Sequence, residues 1–266
     1  MPKRSKPREP LLAGHAGATA RRIGVARALS KLGVASRTVA AQWVQAGRVA
    51  LNGAIVNDPE TPVSLEKDRL YVDNRPVLAA DKRYVMLNKP RGLVTTARDE
   101  RGRATVYSCF GDRQDQWLAP VGRLDKASEG LLLFTNDSEW ASRLLNPDSH
   151  LPKEYHVQID TLTDDALLKQ LRDGVCLEDH SLVQVNDARL LRGGEKNSWL
   201  EITLCEGKNR QIRRLLDALD IKVLRLIRVA IGPVSLGDLP KGQSRPLTVE
   251  ELKAIAAALQ SPGGDR

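Results

Sequence analysis

One aspartate, Asp125, sits between two glycines in the run Pro120-Val121-Gly122-Arg123-Leu124-Asp125-Lys126-Ala127-Ser128-Glu129-Gly130. The apolar residues 131–134 that follow read as a buried strand, closed by the turn signal Asn136-Asp137. A carboxylate where a short loop meets a core strand either makes a turn, as aspartates commonly do, or is held out for chemistry as a nucleophile or general base. The chemical reading needs a neighbouring cation, because burial alone would raise the carboxyl's pKa and neutralise it.

One arginine is placed to supply that charge. In Glu206-Gly207-Lys208-Asn209-Arg210-Gln211-Ile212-Arg213-Arg214-Leu215-Leu216, Asn209 can cap a helix, and Ile212, Leu215, Leu216 and Leu219 recur at i, i+3, i+4 and i+7. At about 100° per residue, Arg213 falls on the edge of that buried face, while Arg210 and Arg214 point away, toward phosphates or water. An ordinary ion pair of Arg213 with Asp217 is the plainer alternative. Tyr155 shares one face of a strand at 153–159 with Val157 and Ile159, so its ring points with the core, as simple packing would also have it.

The elements that must hold these residues can be read in turn. Residues 84–87 form a strand running into the turn Asn88-Lys89-Pro90-Arg91-Gly92, where Lys89 by itself is an unremarkable surface lysine. Ser138 can cap a helix ending before Pro147, and Thr163 can open another that stops at Gly174. Strands follow at about 182–191, 199–205 and 223–230, and the capping box Thr248-x-x-Glu251 begins a last helix.

Charge is distributed unevenly. Residues 1–50 hold ten Lys or Arg against one acid, whereas residues 51–266 hold 31 against 32, so the whole excess of +8 lies at the front. That is the footprint of a polyanion partner. Residues 1–20 read as a disordered basic arm, since Pro2, Pro7 and Pro10 oppose an amphipathic transit helix. Residues 21–53 are more organised: Ile23, Ala26, Leu29 and Leu32 at helical spacing, Gly33 as a stop, Ser36 capping a helix at 37–46 with Val39, Ala40, Trp43 and Val44 inward, then a hairpin about Asn52-Gly53. Arg22, Arg27, Lys31, Arg37 and Arg48 fall mostly off the apolar stripe, so one face can be basic while the other packs; a solvated helix face carries such charges without function as readily as a polyanion-binding one does.

The remaining features narrow the class. With 266 residues and 41% hydrophobic content the chain can build two domains with real cores. It has no apolar run near the ~20 residues of a membrane span and no secretory apolar centre, so a cytoplasmic protein is expected. Cys109, Cys176 and Cys205 lack paired spacing, and His15, His150, His156 and His180 form no ligand pattern, so no metal is expected.

Gly122-Arg123-Leu124-Asp125, with Ser128, Gly130 and the Leu-rich strand continuing to Thr135-Asn136-Asp137, resembles the catalytic signature of the RNA pseudouridine synthases, in the form of the RsuA family that acts on ribosomal RNA. Asn88-Lys89-Pro90-Arg91-Gly92, Lys153-Glu154-Tyr155-His156-Val157 and Gly207-Lys208-Asn209-Arg210-Gln211-Ile212-Arg213-Arg214 resemble its other motifs. Leu32-Gly33, Ser36-Arg37, Gly47-Arg48-Val49 and Asn52-Gly53 resemble the ribosomal S-four-type RNA-binding domain.

The resemblance implies an α+β chain: a small helix-helix-hairpin RNA-binding domain at 21–79, a short linker, and a catalytic domain at 82–260 with a largely antiparallel mixed sheet and a central cleft. It implies isomerisation of a uridine in ribosomal RNA, free or in a pre-ribosomal particle, by a monomer without a cofactor. Asp125 would be the catalytic carboxylate, Arg213 its partner, Tyr155 the ring lying against the uracil, and Arg123 the side chain filling the stack left by a flipped nucleotide. The loop of Lys89 would buttress the pocket, Leu131, Leu133 and Ile212 would be its dry walls, and Arg210 and Arg214 would join the front domain in holding RNA. The alternative is a non-catalytic ribosome-assembly factor, which would keep the basic domain and the cleft without depending on Asp125.

Overall fold

The structure, a computed structural model, describes residues 22–97, 99, 101–111, 117–177 and 180–260. The basic arm expected at 1–20 lies outside the described residues.

At the front, helices Val25–Lys31 and Arg37–Gln45 pack on a four-stranded sheet. Ser36 Oγ accepts from the Val39 amide at 3.1 Å and so starts the second helix. Strands Val49–Leu51 and Ala54–Ile55 turn through Asn52 and Gly53, with φ of 53° and 91°, the left-handed pair that an Asn-Gly hairpin needs. Leu70–Val72 then pairs with Val49–Leu51, and Arg75–Pro76 closes the edge. Val25, Leu29, Ala40, Val44 and Val49 form the core. Two expectations are corrected. Ile23 belongs to a short strand paired with Pro62–Val63, and Val39 is exposed, because Ala40 and Val44, four apart, define the inward line of their helix.

The second unit is built on a nine-stranded sheet. Its path runs Asp187–Gly193, Ser198–Leu204, Lys153–Ile159, Val223–Ile231, Glu129–Thr135, Tyr84–Lys89 and Ser244–Pro246, with Val234–Ser235 and Ala119–Val121 as side branches. Val223–Ile231 and Glu129–Thr135 run parallel and the other pairings are antiparallel, which makes the sheet mixed but largely antiparallel.

Strand Glu129–Thr135 is buried throughout. Leu131 and Leu133 join a cluster with Trp140 and Ile255 on one side, and Leu132 and Phe134 join Leu87 and Val106 on the other, which explains the unbroken apolar run in the sequence. Gly130 makes the parallel pairing possible. At φ +101° a Cβ there would stand 2.2 Å from the Arg228 carbonyl oxygen, so a side chain would push the two strands apart.

Helix starts differ from expectation by one residue in three places. Asp137 caps Ser138–Leu145 in place of Ser138, Asp164 caps Asp165–Asp173 in place of Thr163, and Arg210 occupies the cap position of Gln211–Asp217 in place of Asn209. In the first two, an aspartate carboxylate outcompetes its hydroxyl neighbour for the free amides and favours the helix dipole. The box of Thr248 and Glu251 is present as read.

The two units touch. The Ala80 amide donates to the Leu32 carbonyl at 2.8 Å, and Lys31 pairs with Glu139 at 2.6 Å. Asn136 holds the connecting segment from both ends, accepting from the Arg83 amide and donating to the Asp81 carbonyl, each at 2.8 Å.

Candidate active site

Asp125 lies in the loop between strands Ala119–Val121 and Glu129–Thr135, and three contacts fix that loop's backbone. Thr95 Oγ1 donates to the Leu124 carbonyl at 2.7 Å, and the Gly92 amide donates to the Lys126 carbonyl at 2.7 Å. The third is Lys89, which has no exposed surface and spends its ammonium on the carbonyls of Ser128, Asp125 and Pro90 at 2.8, 3.0 and 3.2 Å. Burial pushes Lys89 down to about 8, with Asp125 and Glu129 opposing that shift. The lysine that reads as a surface residue is therefore the peg on which the loop hangs.

Immediately after the loop, Glu129 is also buried. Arg225 meets both of its oxygens at 3.1 Å and Lys241 a second time at one of them. Burial works to raise this carboxyl, but the hydrogen bonds from Arg225 and Lys241 together outweigh it and leave it below the usual range. Residues from elsewhere in the fold thus fix both ends of the Asp125 loop, and the Asp125 side chain itself remains 40% exposed to solvent.

A cleft of about 310 Å³ opens beside it. Arg123, Asp125, Tyr155, Arg210 and Arg213 all line this cleft, so the structure brings together residues that lie as much as 90 positions apart in the chain. Tyr155 leans on the core of Val157 and Leu200 while presenting part of its ring to the cleft, and Arg123 is exposed at the mouth. Leu133 and Ile212 form apolar wall; Leu131, expected there too, is wholly buried in the core cluster below and does not line it.

The arginines are arranged differently from the helical-wheel expectation. Arg210, expected to point away, lies with its Nη1 3.7 Å from Asp125 Oδ2. The wheel does not apply to it, because the helix begins at Gln211 and Arg210 precedes it with φ +49°. Arg213 reaches inward as its place on the helix requires, but to backbone: Nη2 to the Ala127 carbonyl at 3.3 Å and Nη1 to the Val223 carbonyl at 3.5 Å. Burial, then Arg210, push its guanidinium below the ordinary value, and Asp125 opposes them. Arg210 therefore pairs with the carboxylate directly, while Arg213, held on the backbone of the loop, acts on it only through its charge. Arg214 is partly buried beyond them.

In the front unit Arg22, Arg27 and Arg37 are exposed. Arg48 stacks over Trp43 at 5.2 Å and pairs with Asp73, and Lys31 is turned toward Glu139 of the second unit. Sequence reasoning missed Arg228 and Lys153, which also line the cleft. The signal for Arg228 was present, since it alternates with Leu226 and Ala230 on the buried face of its strand.

Comparison with known proteins adds an independent line. Residues 83–218 match the family model of RNA pseudouridylate synthase, and residues 25–70 match that of the S4 domain. An uncharacterized RNA pseudouridine synthase of Aquifex aeolicus is 40% identical over 238 residues, covering 89% of this chain and 95% of its own length. Ribosomal large subunit pseudouridine synthase B of Bacillus subtilis is 34% identical over 233 residues, covering 87% and 94% respectively. Among solved structures, a pseudouridylate synthase matches with a TM-score of 0.62 at 28% identity, over 88% of this chain and 99% of that one.

Proposed function

The chain belongs to the RNA pseudouridine synthase family, whose members are isomerases, and from that premise we propose that it converts a uridine of large-subunit ribosomal RNA to pseudouridine, with Asp125 as the catalytic carboxylate. The observation that carries the reading is the contrast at the loop: its backbone is pinned by Lys89, Thr95 and Gly92, while the Asp125 carboxylate stays open to the cleft beside Arg210. A group held this way is preorganised for a reacting partner.

The exposed arginines of the front unit bind phosphates and deliver a structured RNA to the cleft. A uridine swings out of its stack, at a cost of a few kcal/mol, and its base lies along Tyr155, while Arg123 at the mouth occupies the gap. The C1′–N1 bond breaks with its electron pair left on the base. Asp125 promotes this step either by attacking C1′ or by taking the proton from C2′. The base turns and C5 bonds to C1′, either as the Asp125–C1′ bond breaks or as Asp125 returns its proton to C2′; the proton on C5 then departs and N1 gains one, so the product is an isomer and Asp125 is regenerated. Leu133 and Ile212 shield the detached base from water.

The test is to incubate the protein with unmodified large- and small-subunit ribosomal RNA transcripts and map pseudouridine by carbodiimide-dependent reverse-transcription stops. A new stop in the large-subunit transcript is expected. A stop confined to the small-subunit transcript would refute the assignment of subunit. No stop, with salt-sensitive binding intact, would favour the assembly-factor alternative.

A further inference from the structure

Among the described residues, four buried side-chain atoms have no hydrogen-bond partner: Thr163 Oγ1, Gln211 Oε1, Arg213 Nε and Arg228 Nη2. The last three belong to residues that line the cleft of Asp125. Unpaired buried polar atoms are rare and costly, and a ligand filling this cleft is one source of the missing partners. What is missing is two acceptors and one donor. The edge of a uracil carries O2, N3–H and O4, which is that set.

Arg228 is the most constrained of the three. The residue is only 6% exposed, and its Nε is tied to the Leu131 carbonyl at 2.8 Å, which fixes the guanidinium in place. A phosphate must stay within a continuous polynucleotide and cannot reach so deep, whereas a flipped base can. Lys153, also lining the cleft, already gives its ammonium to the carbonyls of Leu151 and Cys205 at 2.7 and 3.4 Å.

We propose that Arg228 donates from Nη2 to a carbonyl oxygen of the target uracil and keeps that contact while the base turns over. The proposal deepens the synthase reading and rests on it. Detaching the base at N1 and rejoining it at C5 takes a half-turn about the line from C6 to N3. That half-turn exchanges N1 with C5 and, with them, O2 with O4. A donor fixed in the protein therefore meets one carbonyl before the turn and the other after it. Between the two states the electron pair of the broken C1′–N1 bond rests on the base and spreads to both oxygens, so the contact is strongest midway. A cytosine would bring an amino group to one of the two positions, donor facing donor, so the same contact selects uracil.

The experiment compares wild type, Arg228→Lys and Arg228→Gln on two large-subunit ribosomal RNA transcripts, one with ordinary uridine and one made with 4-thiouridine throughout. Product is counted by mass spectrometry as the nucleoside that no longer loses its base. Sulfur accepts hydrogen bonds poorly, and because both carbonyl positions pass the arginine, a sulfur at C4 is felt at one stage or the other. Wild type should slow on the thio transcript by about tenfold, and the variants should slow on the ordinary transcript by about ten- to hundredfold, mainly in kcat, with little further loss from sulfur. Any RNA misfolding caused by sulfur acts on all three proteins alike and leaves the ratio of penalties intact. A wild type indifferent to sulfur, or variants that keep the full sulfur penalty, would overturn the proposal; the latter would place Arg228 in the fold alone. A wild type inactive on the ordinary transcript would fail at the synthase reading itself, and is seen separately.

Discussion

Lys89 Nζ donates to the backbone carbonyl of Asp125 at 3.0 Å, from a side chain with no exposed surface. The strand Tyr84–Lys89 thus delivers a cation beneath a loop whose Asp125 lies 36 residues later, and fixes the carbonyl of the residue whose carboxylate faces the cleft. Replacing the ammonium by an apolar chain takes its hydrogen bond from the Ser128 and Pro90 carbonyls and leaves the Asp125 carbonyl only the Ser128 amide, at 3.0 Å.

Lys89→Met is therefore expected to lose about 2–4 kcal/mol of stability and most turnover, even where it folds, because the loop is no longer fixed. The pH dependence has a definite sign. Burial holds the folded pKa near 8 against an ordinary 10.5, so between those values the unfolded chain binds more protons and the Lys89 contribution to stability rises with pH. Urea unfolding of wild type and Lys89→Met at pH 7 and pH 10 checks both points: the gap between the two should widen at pH 10, and a gap that narrows would contradict the assignment.

Glu129 gives the opposite signature. Its carboxyl lies below the ordinary value of 4.5, so the stability it contributes is fully present above that value and is lost as pH falls through its folded pKa. Glu129→Gln should cost about 2–3 kcal/mol at pH 7, the low end for a broken buried pair because Arg225 and Lys241 are partly solvated. Acid titration followed by circular dichroism should show the variant's deficit shrinking below pH 4.5. An unchanged deficit at pH 3 would count against the ion-pair account.

Asn136 spans the connection between the two units through Arg83 and Asp81. Asn136→Ala should destabilise that connection by about 1–3 kcal/mol and expose it to proteolysis, while leaving the Asp125 loop in place. Limited trypsin digestion, with Arg83 and Lys82 as cleavage sites, reads this directly. Wild-type resistance in the variant would show that the Lys31–Glu139 pair and the Ala80–Leu32 bond suffice.

What the sequence disclosed and what it withheld have physical causes. The Asn52-Gly53 hairpin, the Ser36 cap, the Thr248 box and the buried strand after Gly130 were legible because each is set by local backbone chemistry or by burial on both faces. The places where Lys89 and Arg210 ended up were not. Lys89 closes an apolar strand at a Pro-Gly turn, and only the fold reveals that three carbonyls converge on it. On a helical wheel Arg210 points away from the buried face, but the chain enters the helix one residue later through a left-handed turn, which brings its side chain to Asp125. Arg228 left a readable trace, a basic residue on the apolar phase of a strand, but its purpose becomes visible only beside the other unpaired atoms of the cleft.

The proposed chemistry stands or falls with Asp125 acting on a uridine of ribosomal RNA. The most direct measurement is single-turnover conversion of the large-subunit ribosomal RNA transcript by wild type and Asp125→Asn, with RNA binding measured in parallel. The 40% exposure of the Asp125 side chain makes the substitution mild for folding. Loss of pseudouridine formation by at least about 10⁴-fold, with binding and melting temperature near those of wild type, is the predicted result. Pseudouridine formed by Asp125→Asn at a rate comparable to wild type would contradict the account.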